Sequence, residues 1–158
     1  MSDAEKVISC LAAASQTLVV AESCTAGLVA DLLAQVPGAS RVFWGAYISY
    51  TVAAKITMFG LDAAMIRRYG AVSRETACAM AQSALQQSGA AMAAAVTGLA
   101  GPEGDGTNVP VGTVWIATAV RGDEVQAQVF HYTGSRQELR CAAAGAVIGE
   151  LIRRLSLN

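Results

Sequence analysis

Compact apolar runs alternate with longer amphipathic segments along the chain. An apolar run bounded by polar residues, such as residues 17–21, predicts a buried strand, and apolar residues three and four apart behind a Ser or Asp cap predict a helix. The predicted helices cover residues 3–14, 25–35, 53–59, 63–69, 74–88 and 136–155. The predicted strands cover residues 17–21, 42–50, 91–97, 111–120 and 125–132.

The order of these elements predicts the fold class. Strands interspersed with helices are typical of an α/β protein in which helices cover both faces of the sheet. The last two strands flank a turn at residues 121–124 and should form an antiparallel hairpin, which makes the sheet mixed. Residues 98–110, rich in glycine and proline, form a long loop, and loops of about a dozen residues in compact domains are often functional.

Composition and charge narrow the class of protein. The chain has 158 residues, 54% hydrophobic and 15% charged, which predicts one globular domain over residues 1–158 and excludes intrinsic disorder. Its 11 basic and 12 acidic residues leave no positive excess, so we expect no nucleic-acid partner. We expect no membrane segment and, without a signal-peptide pattern, a cytoplasmic protein. The apolar composition favours a homo-oligomer.

The cysteines and the single histidine give little support to metal chemistry. Cys10, Cys24, Cys78 and Cys141 are scattered without metal-ligand or disulfide spacing. We interpret Cys10, Cys78 and Cys141 as small packed thiols on helices, because each lies in an Ala-rich periodic segment. His131 lies in the run 129–132 and is predicted to be a strand residue, which disfavours a His-dependent triad.

Reactive polar side chains lie where the predicted strands end. Ser23 follows the first strand and precedes a helix, whose unpaired N–H groups favour negative charge. Ser23 or Thr25 would also serve as a plain helix cap, and Cys24 is a second candidate nucleophile. Lys55 follows the second strand and is the only lysine besides Lys6. A desolvated lysine can act as a base, although a solvated surface lysine is the plain alternative.

Two further features lie near these candidates. Tyr50 is close to Lys55 in sequence and either positions the amine or packs at the strand end. The segment Thr-Gly-Leu-Ala-Gly-Pro at 97–102 follows the third strand, and its glycines allow a ligand to approach the backbone. It is neither a P-loop nor a dinucleotide-binding fingerprint. A hydroxyl, an amine and a glycine-lined loop at strand ends indicate acyl transfer by a serine without a histidine.

Five motifs occur in the order seen in a known family. They are Glu-Ser-Cys-Thr-Ala-Gly at 22–27, Tyr50 with Lys55, Gly-Ala-Val-Ser at 70–73, Thr-Gly-Leu-Ala-Gly-Pro at 97–102 and Pro-Val-Gly-Thr-Val at 110–114. Over nearly its whole length the chain thereby resembles the CinA C-terminal domain family, whose stand-alone members are nicotinamide-nucleotide amidohydrolases. The resemblance implies a three-layer α/β/α sandwich that deamidates nicotinamide mononucleotide, a pyridine nucleotide, to nicotinic acid mononucleotide and ammonia. It implies neither a metal nor an organic cofactor.

The resemblance also implies roles for individual residues. Ser23 resembles the family's nucleophile, Lys55 the base that takes its proton, and Tyr50 a supporting residue. The N–H groups at the start of the following helix would hold the tetrahedral oxyanion. Arg140 resembles the family's substrate-binding arginine, and Arg136 is a second candidate for the ribose phosphate. The implied substrate-binding residues are Cys24, Thr25, Gly27, Thr97, Gly98, Arg136 and Arg140.

Two positions depart from the family's usual pattern. The chain has Ala26 where the family has glycine and Val52 where it has asparagine. A positive φ at residue 26 would make the added methyl unfavourable, whereas a place in the first helical turn would make it harmless. Val52 cannot form the hydrogen bonds of an asparagine, so we hypothesise reduced or altered activity. Two other functions stay open: an impaired paralogue that only binds pyridine nucleotides, and an amidase for another small carboxamide.

Overall fold

A mixed sheet of five strands forms the centre of the protein, of which the computed structural model describes residues 1–156. The strands are β1 (Leu18–Glu22), β2 (Phe43–Ile48), β3 (Met92–Gly98), β4 (Thr113–Val120) and β5 (Gln126–His131). They lie in the order β2-β1-β3-β4-β5. β1 pairs in parallel with β2 and β3, whereas β4 pairs antiparallel with β3 and β5. The predicted mixed sheet with its late antiparallel hairpin is confirmed.

Helices cover both faces of this sheet. They are α1 (Asp3–Ala13), α2 (Leu28–Ala34), α3 (Val52–Phe59), α4 (Ala63–Tyr69), α5 (Arg74–Ser88) and α6 (Arg136–Leu155). α1, α2 and α6 pack on one face and α3, α4 and α5 on the other, which is the expected three-layer α/β/α sandwich. A short 3-10 helix at Ala39–Arg41, which the sequence did not predict, precedes β2.

Alternate residues of the inner strand β1 face two separate apolar cores. Leu18 and Val20 lie in the core under α1, α2 and α6, and Val19 and Ala21 lie in the core under α3, α4 and α5. A strand covered on both faces has no polar side, which explains the unbroken apolar run that predicted it.

β3 forms although its alanines have poor strand propensity. Its Ala93 and Ala95 share a core with fully buried alanines of α5, namely Ala77, Ala81 and Ala84. Small side chains on both elements let the helix lie close to the sheet. Packing and pairing with two neighbouring strands therefore outweigh the local propensity.

The helix predicted from residue 25 begins three residues later, at Leu28. Ala26 and Gly27 have positive φ angles of 48° and 101°, outside the right-handed helical region. Ala26 therefore lies in a turn before the helix, and of the two alternatives left open by the sequence the positive φ, which disfavours its methyl group, is the one found.

Three predicted strands are shorter than expected, and the fifth covers Gln126–His131 instead of residues 125–132. The second ends at Ile48 instead of residue 50, because the chain turns there and Thr51 caps α3. The fourth begins at Thr113 instead of residue 111, because Gly112 adopts a φ of 93° and its N–H donates to the Leu99 carbonyl at 2.7 Å.

The predicted packing of two cysteines is wrong. Cys10 on α1 and Cys141 on α6 are exposed, and Cys78 on α5 is half-buried. Alanine occupies both faces of such helices, so an Ala-rich context does not show which face a cysteine takes. His131 lies at the end of β5, as predicted, and is exposed.

Within residues 1–156, none of the helices combines the length and apolar character that a membrane crossing needs. In the same residues, no three His, Cys, Asp or Glu side chains are grouped so that they could hold a metal ion.

The carboxyl ends of β1, β2 and β3 meet at one edge of the sheet because the three strands are parallel. β1 is followed by residues 23–27, called here the 23–27 loop, and β2 by α3, which carries Lys55. β3 ends at Gly98. Open α/β sheets bind ligands at this edge, and the candidate residues lie there.

Candidate active site

Ser23 and Lys55 are in direct hydrogen-bond contact. Lys55 Nζ lies 2.7 Å from Ser23 Oγ and donates a second bond to the Ser49 carbonyl at 2.8 Å. Thr51 caps α3 by accepting from the Ala54 N–H at 3.0 Å, so the helix starts directly after β2. Its fourth residue then reaches back to the end of β1. Two side chains that the sequence placed at different strand ends are thereby brought together.

Burial favours the neutral form of the Lys55 amine. The Lys55 side chain is 2% exposed, and its two partners, a hydroxyl and a carbonyl, carry no charge. Removal from water lowers the pKa of Lys55 from 10.5 to about 8, partly opposed by the neighbouring Cys24. With a pKa near 8, about a tenth of the molecules carry the neutral amine at pH 7. That fraction can accept a proton from Ser23.

Glu22 organises the segment that carries Ser23. It is fully buried at the end of β1, and its carboxylate accepts four hydrogen bonds. They come from Thr25 Oγ1 at 2.6 Å and from the N–H groups of Gly27, Val29 and Ala30 at 2.9, 3.2 and 2.8 Å. A carboxylate satisfies N–H groups at a helix start and is itself stabilised there by the helix dipole.

The expected oxyanion donors at the start of α2 are not available. Three of these N–H groups donate to Glu22, and that of Leu28 donates to the Thr25 carbonyl at 3.2 Å. The N–H groups of residues 27–30 are therefore not the oxyanion donors expected at the helix start. In the described chain, the N–H groups of Cys24 and Thr25 donate to no acceptor on another residue. These two unpaired amides lie next to Ser23, in residues that are buried.

Arg140 contacts the backbone of the 23–27 loop. Its Nε donates to the Cys24 carbonyl at 2.9 Å and its Nη2 to the Thr25 carbonyl at 3.0 Å. Nη1 lies 3.4 Å from the Gln137 side-chain oxygen on the same helix. The role of Arg140 on the substrate stays a prediction, and the structure adds this second role.

Cys24 is a packing residue in this geometry. Burial raises the pKa of its thiol to about 11, which keeps it protonated at neutral pH and a weak nucleophile. A Cβ added at Gly98 would lie 2.9 Å from Cys24 Sγ and 3.0 Å from a Val114 methyl, so glycine permits this close approach. Thr97 is buried, and its hydroxyl donates to the Ala71 carbonyl at 2.8 Å.

Tyr50 and Arg136 form a second polar contact at the same edge. Arg136 is the first residue of α6, and its Nη2 donates to the Tyr50 hydroxyl. Its Nη1 donates to the Gly101 carbonyl at 2.6 Å, which ties the 98–110 loop to α6. Tyr50 is half exposed and supports Arg136 through this contact. Its role in supporting Lys55 stays a prediction.

The two departures from the family pattern are on the surface. Ala26 is exposed and holds the left-handed conformation that favours glycine. Val52, the first residue of α3, is 43% exposed and lies one helical turn before Lys55. Neither side chain is buried with Ser23 and Lys55.

Sequence reasoning gave no role to Glu22 or Ser49. Glu22 has a visible signal, since it is a lone acid that ends a fully apolar strand just before a helix. Ser49 acts through its carbonyl, which any residue type would supply, so no signal in the sequence could have identified it.

The protein is of the α/β class: it is a three-layer sandwich with a buried Ser–Lys pair at the ends of its parallel strands. Comparison with known proteins is more specific. The family model described as CinA C-terminal domain matches residues 2–155. The chain belongs to the CinA C-terminal domain family.

Individual relatives agree with this assignment. A CinA-like protein from Akkermansia muciniphila is 44% identical over 137 residues, which cover 86% of this chain and 33% of that protein. A CinA-like protein from Syntrophomonas wolfei is 40% identical over 148 residues, covering 94% and 35%. The chain thus spans about a third of the length of these curated relatives.

Solved structures share the fold over nearly the whole chain. A competence-damaged protein (CinA) superfamily protein from Klebsiella pneumoniae has a TM-score of 0.95 at 28% identity, covering 99% of this chain and 97% of that one. The competence/damage inducible protein CihA from Agrobacterium tumefaciens has a TM-score of 0.91 at 37% identity, with the same coverage.

Proposed function

We propose that this chain is a nicotinamide-nucleotide amidohydrolase, which converts nicotinamide mononucleotide to nicotinic acid mononucleotide and ammonia. The observation that carries the proposal is the 2.7 Å contact between Ser23 Oγ and the buried Lys55 amine, whose pKa is lowered to about 8. A serine beside a neutral amine is suited to acyl transfer without histidine. Membership of the CinA C-terminal domain family and the ordered motifs support the choice of substrate.

The reaction proceeds through an acyl-enzyme. Ser23 Oγ attacks the carboxamide carbon while neutral Lys55 takes the hydroxyl proton, and the Ser49 carbonyl keeps the amine oriented. The free N–H groups of Cys24 and Thr25 stabilise the tetrahedral oxyanion. Protonated Lys55 returns the proton to the departing ammonia. Lys55 then deprotonates a water molecule, which cleaves the acyl-enzyme and frees the acid product.

The charges of the substrate fit this site. The pyridinium ring is a cation, so its approach lowers the pKa of Lys55 further and favours the neutral base. The ribose phosphate needs a permanent cation with several donors. Arg136 is exposed and uses two of its five N–H donors on Gly101 and Tyr50, which leaves donors for a phosphate.

The proposal is tested by measuring ammonia release from nicotinamide mononucleotide. The assay compares purified wild-type protein with Ser23→Ala and with Ser9→Ala, which changes an exposed serine on α1. Activity that is lost in Ser23→Ala and kept in Ser9→Ala supports the assignment. Nicotinamide riboside, which lacks the phosphate, should be a poorer substrate. Sedimentation of the same preparation measures the predicted self-association.

Each alternative function has its own outcome in this assay. Thermal stabilisation by nicotinamide mononucleotide without ammonia release would make the chain a pyridine-nucleotide-binding module and refute the amidohydrolase. Equal turnover of the riboside would indicate an amidase for a different small carboxamide, because no phosphate would then be recognised.

A further inference from the structure

We infer that Glu22 and Arg140 are positioning residues that together hold the 23–27 loop, and that Arg140 acts through this loop and not on the substrate phosphate. The inference rests on the proposed function for its kinetic test. Its basis is geometric, because Glu22 accepts from the Thr25 hydroxyl and the Gly27 N–H, while Arg140 donates to the carbonyls of Cys24 and Thr25.

The carboxylate side of this arrangement is fully buried. Glu22 accepts from the Thr25 hydroxyl, from the Gly27 N–H and from two N–H groups of α2, at 2.6–3.2 Å. A buried carboxylate satisfied by so many donors fixes the position of each of them. Ser23 follows Glu22 directly, so the same contacts fix the backbone that carries the nucleophile.

The guanidinium side comes from a distant part of the chain. Arg140 is the fifth residue of α6, and its Nε and Nη2 donate to the carbonyls of Cys24 and Thr25 at 2.9 and 3.0 Å. The Nε–Nη2 edge is one of the edges with which an arginine binds a carboxylate or phosphate through two parallel bonds. Since two loop carbonyls already occupy that edge, a phosphate would have to displace them.

The loop needs external support because its backbone is not in a low-energy conformation. Ala26 has a φ of 48°, a left-handed conformation that is unfavourable for a residue with a Cβ. Gly27 continues the left-handed turn with a φ of 101°. Without Glu22 and Arg140 the loop would relax, and the Ser23 hydroxyl would move away from Lys55 and from the amides of Cys24 and Thr25.

The test compares Arg140→Met with Arg121→Met as a matched control. Arg121 also donates from its guanidinium to a backbone carbonyl, that of Ala90 at 3.0 Å, but at the opposite end of β3. The first readout is the rate at which phenylmethanesulfonyl fluoride modifies Ser23. This small neutral probe carries no phosphate, so a phosphate-binding arginine does not affect its reaction. Serine Oγ displaces fluoride from the sulfonyl group, and Lys55 accepts the serine proton.

The expected result is a loss of reactivity without a loss of affinity. A loosened loop should slow sulfonylation of Ser23 at least about tenfold in Arg140→Met and lower kcat by a similar factor, because small misplacements of reacting groups cost this much. KM for nicotinamide mononucleotide should change less than about threefold, since binding contacts remain. Arg121→Met should change none of the three.

Glu22→Gln provides a second, independent variant. It replaces one acceptor oxygen by an amide donor that faces the N–H groups of the loop. Because these N–H groups lose an acceptor, amide hydrogen exchange at residues 27–30 should become faster, while exchange in β3 stays unchanged. Unchanged exchange at residues 27–30 would overturn the role of Glu22, whatever the effect on kinetics.

The outcomes separate this inference from the proposed function. Normal sulfonylation of Arg140→Met together with a KM raised about tenfold or more would overturn the inference and make Arg140 a substrate-binding residue. A wild-type Ser23 that reacts with the probe but releases no ammonia would refute the amidohydrolase, and the labelling comparison would still decide the role of Arg140. A wild-type Ser23 that does not react with the probe would overturn the inference, because the loop would not hold a reactive serine.

Discussion

Replacing Lys55 by methionine should make the folded protein more stable at neutral pH and less active. The folded state holds this amine in a buried position where its pKa falls from 10.5 to about 8. At pH 7 most molecules must therefore carry a buried ammonium, which costs about 3 kcal/mol relative to the unfolded chain. Methionine has a similar length and no charge. Because it loses the bonds to Ser23 and Ser49, we expect a net gain of about 1–3 kcal/mol at pH 7.

The pH dependence of this difference is the sharper measurement. Between pH 8 and pH 10.5 the unfolded chain binds more protons at Lys55 than the folded protein does, so the stability of the wild type rises with pH in that window. The advantage of Lys55→Met should shrink by about 1 kcal/mol from pH 7 to pH 9, and by about 2–3 kcal/mol by pH 10. Urea unfolding at each pH, followed by circular dichroism, measures the two free energies.

The other lysine of the chain supplies the control. Lys6 is exposed on α1 and pairs with Asp3 at 2.6 Å, so Lys6→Met removes a lysine that the fold does not bury and should change the free energy of unfolding by less than about 1 kcal/mol. A difference between wild type and Lys55→Met that changes by less than about 0.5 kcal/mol from pH 7 to pH 10 would refute the reasoning. The assignment of Lys55 as the base for Ser23 would then lose its basis, which is the lowered pKa of the amine.

The remaining predictions concern rate and local strain. At substrate concentrations well below KM, ammonia release should rise about tenfold from pH 7 to pH 9, because the neutral fraction of Lys55 in the free enzyme rises from about 9% to about 91%. Ala26→Gly should raise the free energy of unfolding by about 1 kcal/mol by relieving the left-handed alanine. Gly98→Ala should lower it by about 1–3 kcal/mol, because the new Cβ would lie 2.9 Å from Cys24 Sγ. Val52→Asn should turn over substrate faster than wild type if the polar side chain restores a hydrogen bond to Lys55 or to the bound substrate.

Each of these expectations has a clear contrary result. A rate independent of pH would exclude a titrating base near pH 8. Ala12→Gly, at an exposed position inside α1, should lower stability by about 1 kcal/mol, and the same sign for Ala26→Gly would show that residue 26 is unstrained. Wild-type stability in Gly98→Ala would mean that the contact with Cys24 is loose. Equal turnover of Val52→Asn and wild type would remove the hypothesis that Val52 lowers activity.

Much of the architecture could be predicted because local patterns and tertiary packing agree. The apolar run of β1 and the paired runs of β4 and β5 predicted strands that the structure contains. The start of α2 was missed because it depends on a side chain outside the helix, the Glu22 carboxylate, which holds the preceding residues in a turn. Propensity at each position does not include such a contact.

The reactive residues of the candidate site could be predicted from the sequence, but the hydrogen bonds that hold them in place could not. Ser23 and Lys55 were recognisable as reactive groups at strand ends, and the parallel pairing of β1 and β2 brings them together. The contact of Arg140 with the Cys24 carbonyl joins residues 116 positions apart. No local pattern encodes that distance, and a backbone carbonyl gives no residue type to recognise.

The position of β1 between β2 and β3 also sets the order in which the protein can assemble. As the chain leaves the ribosome, β1 can pair with β2 after some 25 further residues, as Leu18 opposite Phe43 shows. Its other edge stays open until β3, which places Met92 opposite Leu18, has been made. At about 5–20 residues per second, that wait lasts several seconds, with an apolar strand edge exposed. Ser23 and Lys55 can therefore meet in the nascent chain well before the sheet that supports them is complete.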